Sequence, residues 1–157
     1  MRLVCDTDFL SAFHKMDRID LIYEVFGVDR IYVTQAVIDE LAKAPFFYDF
    51  IRKTERVERV VVDEIPLNIS SAMLGKGEAD SISYALKTGS ILLSNDKKAG
   101  EFAEDLGVIV VDVISFLLVC KEIGILGLNE IEHIIELLKK RDYMELNEEQ
   151  KKMLLRE

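Results

Sequence analysis

The sequence predicts an α/β protein of three layers, with helices on both faces of a central, mostly parallel sheet of about five strands. Short runs rich in β-branched residues alternate with amphipathic stretches of helical length as far as about residue 112. The runs are nearly all apolar, as expected of strands that a parallel sheet buries on both faces. The 157 residues, half of them apolar, are enough for one well-buried core.

Five apolar runs are predicted as strands. They are Leu3-Val4-Cys5, Ile31-Tyr32-Val33, Val60-Val61-Val62, Ile91-Leu92-Leu93 and Val108-Ile109-Val110-Val111. Helices are predicted between and after them, at about Phe9–Lys15, Thr34–Ala44, Phe46–Glu55, Glu78–Lys87, Val113–Ile123, Asn129–Arg141 and Asn147–Arg156. Thr34 is placed to cap its helix, and Gly89 is placed to end the helix that precedes the fourth strand.

The last helices form a predicted extension. We divide the chain into a sheet-containing domain at 1–124 and a helical extension at 125–157 that packs on the same domain. Within the extension Ile131, Ile134, Ile135 and Leu138 repeat at helical spacing, so one face of this helix must be buried. The extension therefore covers the core or supplies a surface for a partner.

Composition excludes several classes of function. The formal net charge of −9 argues against broad attraction to nucleic-acid phosphates, so any nucleic-acid role must depend on a local site. The longest apolar run, Gly107–Cys120, contains polar residues and is shorter than the roughly 20 residues that span a bilayer. Because Asp6 interrupts the N-terminal apolar stretch, we expect a cytoplasmic protein without membrane association. His14 and His133 stand alone, which disfavours a zinc site.

Acidic residues follow two of the predicted strands. Asp6 comes directly after the first strand, and Asp96 follows the fourth through Ser94-Asn95. Ligands of open parallel sheets bind at the carboxyl ends of the strands, where loops and helix N-termini converge. We therefore expect these two carboxylates to meet.

Three further carboxylates belong to the same candidate group. Glu40 lies at the margin of the buried stripe of its helix, where an unpaired charge is costly, whereas Asp39 is predicted to be solvated. Glu78 and Asp80 open the helix before the fourth strand, and the helical wheel predicts that Glu78 points inward more than Asp80. Favourable interaction with the helix dipole would also explain acids at that position, so both are kept as candidates.

A cluster of carboxylates without His or Cys selects hard, oxygen-preferring cations, so Mg²⁺ or Mn²⁺ is the expected cofactor. Without a cation the charges would repel one another and raise the pKa values of the carboxyl groups. Metal ions held in this way fit phosphoryl transfer, in which one ion activates a water and a second stabilises the leaving oxygen.

These segments together resemble the PIN domain, a metal-dependent ribonuclease fold. The matching segments, in order, are Leu3-Val4-Cys5-Asp6-Thr7-Asp8-Phe9-Leu10, Val33-Thr34-Gln35-Ala36-Val37-Ile38-Asp39-Glu40-Leu41, Gly77-Glu78-Ala79-Asp80-Ser81-Ile82-Ser83-Tyr84-Ala85 and Leu92-Leu93-Ser94-Asn95-Asp96. The resemblance implies that the catalytic, metal-binding acids are Asp6, Glu40, Glu78, Asp80 and Asp96. The Gly-Glu-Ala-Asp segment is also similar to the Gly-Glu-Ala-Glu element of flap endonucleases, in which both acids serve the metals. Thr7 and Ser94 stand where the family often has a hydroxyl beside the acids.

The resemblance also implies partners. The tail from Ile125 to Gln150 is similar to an extension of a prokaryotic PIN subfamily, many of whose members are toxins of toxin-antitoxin pairs and are usually dimeric. We therefore expect an RNA substrate, an antitoxin protein as a partner and a homodimer. Lys97 and Lys98 follow Asp96 directly and are candidate RNA contacts.

Two alternative functions remain open. Asp6 and Asp8 have the spacing of the nucleophile and acid/base pair of a haloacid-dehalogenase-like phosphatase, although the favoured interpretation is that Asp8 caps the helix Phe9–Lys15. The other alternative is a non-catalytic, PIN-like module whose acidic surface binds a basic protein partner.

Overall fold

A five-stranded, all-parallel sheet forms the centre of the protein, as seen in a computed structural model that describes residues 1–53 and 55–156. The strand order is β3-β2-β1-β4-β5. The strands are β1 (Leu3–Cys5), β2 (Ile31–Thr34), β3 (Val57–Val60), β4 (Ile91–Leu93) and β5 (Val110–Val111). Helices flank the sheet, so the predicted α/β class is confirmed.

The helices described alternate with the strands and continue beyond them. They are α1 (Thr7–Lys15), α2 (Asp20–Phe26), α3 (Gln35–Leu41), α4 (Phe47–Lys53), α5 (Leu67–Ser70), α6 (Lys76–Thr88), α7 (Lys97–Asp105), α8 (Val113–Glu122), α9 (Leu128–Arg141) and α10 (Glu148–Leu155). None of the helices in the described ranges is long and apolar enough to span a membrane. Position 54 of the predicted helix Phe46–Glu55, and position 157 of the predicted extension, lie outside the described residues.

Several predicted helix ends are confirmed by their caps. The Thr34 hydroxyl accepts a hydrogen bond from Val37 N at 3.3 Å, and α6 ends at Gly89, whose φ of 69° lies in the left-handed region. The sequence did not predict α2, which has no side-chain cap at its start, or α5, which is a single turn. Helices without a polar start signal are difficult to recognise from sequence.

The two edge strands differ from the prediction. The third strand is Val57–Val60 rather than Val60–Val62, and Val61 is 66% exposed. A continuous apolar run is typical of a central strand, whereas the outward face of this edge strand presents Glu58, which pairs with Arg30 at 2.8 Å. The fifth strand is limited to Val110–Val111.

The sheet separates two apolar cores because successive side chains of a strand point to opposite faces. Leu3 and Cys5 face a core that contains Phe9 and the packed rings of α1 and α8, while Val4 faces a second core beneath α6 and α7. The extension belongs to the first core. Its buried side chains are Leu126, Ile131, Ile134, Leu138, Leu146 and Leu154.

Candidate active site

Asp6 and Asp96 lie together because β1 and β4 are neighbouring strands. The Asp6 amide donates to the Leu93 carbonyl at 2.9 Å, which holds the end of β1 against the end of β4. The Ser94 hydroxyl connects the two acids: it donates to Asp6 Oδ2 at 3.2 Å and accepts from the Asp96 amide at 3.3 Å. The two strand ends therefore bring both carboxylates to one edge of the sheet.

Each of these aspartates also caps the helix that follows it. Asp6 Oδ1 accepts from the Thr7 amide at 2.8 Å at the start of α1, and Asp96 Oδ1 accepts from the Ala99 amide at 2.8 Å at the start of α7. The partial positive charge of a helix N-terminus favours a carboxylate there. The prediction that Asp8 caps the first helix is therefore wrong, since Asp6 occupies the cap and Asp8 lies in the first turn of α1.

Asp6 is poorly solvated, with only 5% of its surface exposed. Burial raises the pKa of Asp6 from 3.8 to about 7, and the nearby charges of Glu78 and Asp8 act in the same direction. The hydrogen bonds from Thr7 and Ser94 lower the pKa and only partly offset the burial. An ionised Asp6 at neutral pH therefore needs a nearby positive charge.

Glu78 approaches Asp96 from the first turn of α6. Its Oε2 accepts from the Gly75 amide at 3.2 Å, which orients the side chain along the helix end. Burial raises the pKa of Glu78, and both the charge of Asp96 and a hydrogen bond between the two carboxyl groups raise it further. Neighbouring carboxylates disfavour each other's ionisation, and a cation between them would relieve this repulsion.

Asp8 lies near these acids, although the favoured sequence interpretation treated it only as a helix cap. Burial raises the pKa of Asp8, and the charges of Asp96, Asp142 and Glu40 raise it further. The sequence feature that could have indicated this position is the Asp-Thr-Asp spacing after a buried strand. It places the second carboxylate, Asp8, at the second residue of the helix. Because Asp6 supplies the cap, Asp8 lies in the first turn of α1, exposed and within the electrostatic influence of these carboxylates.

Glu40 closes the site from α3. Its Oε2 accepts from the Thr7 hydroxyl at 2.5 Å, and its Oε1 accepts from the Gly77 amide at 3.3 Å. A Cβ atom at Gly77 would lie only 2.7 Å from Glu40 Oε1, so an alanine there would require the Glu40 carboxylate to move. Asp39, next to it, is exposed, as predicted.

Asp80 does not occupy the position that the helical wheel predicted. It is 3% exposed, whereas Glu78 is half-buried, so the expectation that Glu78 points inward more is wrong. The reason is that α6 is covered on several sides, by α3, α5 and the sheet. Lys76 Nζ lies 3.2 Å from Asp80 Oδ2, and Asp80 Oδ1 is buried without a hydrogen-bond partner among the described residues.

Lys97 and Lys98 are exposed in the first turn of α7, next to Asp96. They are the nearest cations to Asp96 along the chain. Within the described residues, no group of three or more His, Cys, Asp or Glu side chains is arranged so that it could hold a metal ion as it stands. The chemistry of the donors nevertheless fits Mg²⁺ or Mn²⁺, because Asp6, Glu78 and Asp96 supply only oxygen.

Comparison with known proteins agrees with this architecture. The family described as DUF3368, PIN domain, matches residues 2–157. The chain belongs to the PIN-domain family. PIN domains are typically nucleases, and PIN nucleases generally use divalent metals. Membership in this family argues against the haloacid-dehalogenase alternative for Asp6 and Asp8.

A solved PIN structure has the same fold. The chain is similar to a PilT N-terminus domain protein, SSO1118, from the hyperthermophilic archaeon Sulfolobus solfataricus P2, with a TM-score of 0.52 and 20% sequence identity. The match covers 78% of this chain and 95% of that one. No curated protein matches the sequence.

Proposed function

We propose that this PIN domain is a ribonuclease that depends on Mg²⁺ or Mn²⁺. The observation that supports the proposal is the placement of Asp6 and Asp96 at adjoining strand ends, where the Ser94 hydroxyl connects them and burial raises the pKa of Asp6 to about 7. Such a group of acids is unfavourable without a proton or a cation, and it lies at the ligand-binding edge of a parallel sheet.

Asp6, Glu78 and Asp96 would hold the metal, with Glu40 at the rim and Asp80 one helical turn from Lys76. When bound, a divalent cation lowers the pKa of a water and stabilises charge on the phosphate oxygens. Ser94 positions Asp6 and Asp96 relative to each other, and Thr7 positions Glu40. Release of Asp80 Oδ2 from Lys76 would allow the Asp80 side chain to turn and offer an oxygen as a further ligand.

Asp8 is suited to accept a proton from the attacking water. Its pKa is raised by burial and by neighbouring carboxylates, and a base whose pKa is closer to neutrality transfers protons more effectively. Lys97 and Lys98 would contact the phosphates that flank the cleaved bond.

The decisive experiment compares RNA cleavage by the wild type with cleavage by Asp6→Asn, Glu78→Gln and Asp96→Asn, in Mg²⁺, in Mn²⁺ and in EDTA. We expect each substitution to reduce cleavage by at least about a hundredfold, because each removes a charge that stabilises the transition state. Asn retains a cap acceptor at both aspartates, so circular dichroism should show an intact fold.

Asp39→Asn is the matched control, because it removes an exposed carboxylate next to Glu40 and should leave cleavage unchanged. Cleavage that persists in EDTA, or in all three site variants, would contradict the proposal. Protein binding without any metal-dependent cleavage would favour the non-catalytic module instead.

We extend the proposal to the partners. The toxin role, with an antitoxin that inhibits the enzyme in the cytoplasm, and the homodimer are supported by the resemblance of the tail to the prokaryotic subfamily. Val119, Ile123 and Met153 leave apolar surface exposed on the extension and on α8, which suits a protein contact. Sedimentation equilibrium of the full chain measures the oligomeric state directly.

A further inference from the structure

A cavity of about 560 Å³ opens beside Asp96. Its walls are the loop after β4, one side of α7, β5 with the first turn of α8, and Met144 and Gln150 from the C-terminal extension. Cavities of this volume hold small organic groups. Because the cavity shares Ser94 and Asp96 with the candidate active site, its occupant would lie next to the reacting phosphodiester.

The wall formed by the extension is held in place by polar contacts. Lys15 Nζ lies 3.0 Å from Asp142 Oδ1, and the Asn95 side-chain amide donates to Met144 Sδ at 3.6 Å. Asn95 Oδ1 in turn accepts from the Val113 amide at 3.3 Å, which connects the loop after β4 to the start of α8. The extension is thus fastened directly beside the acidic site.

The charges of the cavity determine what can enter it. Its lining has one cation, Lys97, and four carboxylates, namely Asp96, Glu101, Glu104 and Asp112. A second phosphate inside the cavity would be repelled by these carboxylates. An uncharged group with N–H donors would be attracted, since carboxylates accept hydrogen bonds from the exocyclic amino groups of bases.

The remaining lining suits a planar base. Val110, Ile114 and Met144 supply apolar surface, while Asn95, Ser115 and Gln150 supply polar groups. Gln150 Oε1 accepts from the Asn147 amide at 3.0 Å, which orients its side chain. Single-stranded RNA is commonly read through unstacked bases whose edges are hydrogen-bonded.

We propose that this cavity binds one base of the RNA, next to the cleaved phosphodiester, and that it prefers a base with an exocyclic amino group over uracil. The inference rests on the proposed ribonuclease function and specifies the subsite that reads the substrate. The C-terminal extension then forms part of the substrate site through Met144.

The experiment measures binding of short fluorescent oligouridine RNAs to the Asp6→Asn protein by anisotropy. The RNAs differ at one internal position, which is adenine, cytosine, guanine, uracil or abasic. We expect RNAs with an amino-bearing base to bind roughly threefold to tenfold more tightly than the uracil and abasic RNAs. Met144→Ala should weaken that binding by roughly tenfold, because it removes apolar contact area.

Two further variants keep the test decisive if Met144→Ala is unstable. Glu101→Gln changes an exposed residue of α7 and should reduce the preference for amino-bearing bases without loss of folding. Met73→Ala, at a methionine that is 88% exposed and outside the cavity lining, is the matched control and should leave binding unchanged.

Equal binding of all the RNAs, or unchanged discrimination in Met144→Ala and Glu101→Gln, would overturn the inference. Suppose that the wild type cleaves RNA in a metal-dependent manner, while these variants keep the same preference between bases. The proposal that the cavity binds a base is then wrong, and the ribonuclease proposal stands. If an arginine-rich peptide binds at these residues and no base is discriminated, the cavity belongs to a protein partner and the inference is wrong.

Discussion

At the scale of single residues, Gly77 controls how closely α3 and α6 approach at the acidic site. A methyl group at this position would meet Glu40 Oε1 at 2.7 Å and Glu40 Cδ at 3.0 Å. We expect Gly77→Ala to reduce cleavage, because the Glu40 carboxylate is displaced, and to lower the free energy of unfolding by about 1 kcal/mol at most, because only the end of a flexible side chain has to move. Denaturant titration measures the stability change.

A double-mutant cycle separates this contact from a general helix effect. In the Glu40→Ala background the Glu40 carboxylate is absent, so Gly77→Ala should change the free energy of unfolding little or not at all. Gly100→Ala in α7 is the control, since its Cβ would meet Val110 Cγ1 at an ordinary 3.5 Å and should not couple to Glu40. If Gly77→Ala lowers the free energy of unfolding equally in both backgrounds, the contact between position 77 and Glu40 does not affect stability.

The buried carboxyl of Asp6 makes stability depend on pH. Its pKa is about 7 in the folded protein and 3.8 ordinarily, so the folded state binds more protons than the unfolded chain between these values. Stability in EDTA should therefore fall as the pH rises from about 4 to about 7, by on the order of 3 kcal/mol. Thermal unfolding across this range measures the slope.

Asp6→Asn provides the comparison, because it retains the cap acceptor and removes the charge. The variant should be more stable than the wild type at pH 8 in EDTA, and the part of the slope that comes from Asp6 should disappear. Mn²⁺ should stabilise the wild type and not this variant, as expected for a ligand that binds the folded state. Superimposable pH profiles would mean that Asp6 is not destabilised by burial.

At the scale of secondary-structure elements, α10 depends on the shared core rather than on its own sequence. Leu154 is fully buried against the core that also includes α1 and α8, whereas Met153 is 40% exposed. We expect Leu154→Ala to lower the free energy of unfolding by about 2–4 kcal/mol, because it leaves a cavity. Denaturant titration checks this value.

Met153→Ala is the neighbouring control and should change stability by no more than about 0.5 kcal/mol. A single cooperative transition is expected in both variants, since one core includes the sheet and the extension. A separate early transition, with little effect of Leu154→Ala on the main one, would show that the extension unfolds independently.

The elements differ in how well the sequence predicted them. The strands β1 and β4 match their predicted ends because both are buried on two faces and read as short apolar runs. The edge strand β3 does not match, because Glu58 and Arg59 are exposed on its two faces and Val61-Val62, most of the predicted apolar run, lie outside the sheet. The apolar pattern thus identifies central strands better than edge strands.

At the scale of the whole molecule, the net charge of −9 restricts how RNA can bind. With Lys97 and Lys98 as the phosphate contacts, the logarithm of the binding constant should fall with the logarithm of salt concentration with a slope of about −1.5 or shallower. Anisotropy titrations of Asp6→Asn with a short RNA at several salt concentrations measure the slope.

Lys97→Ala should make this slope shallower by about 0.7, the value for one phosphate contact on a single strand. Lys139→Ala is the matched control, because Lys139 is exposed on α9 and pairs with Glu145 at 3.4 Å. A salt dependence much steeper than about −1.5, or an equal effect of the two substitutions on it, would show that the RNA binds to another surface.

The sequence by itself determined the fold class and the two aspartates at the ends of neighbouring strands, because apolar periodicity and strand-end position are local properties of the chain. The family followed from the resemblance of four segments to the PIN domain. Only the tertiary structure decided that Asp6 rather than Asp8 caps α1, that the charges of Asp96 and Glu40 raise the pKa of Asp8, and that Asp80 is more buried than Glu78. These outcomes depend on which elements pack around a helix. That packing is set by contacts between residues far apart in the sequence, such as Glu40 with Gly77, and the helical wheel of one segment cannot include them.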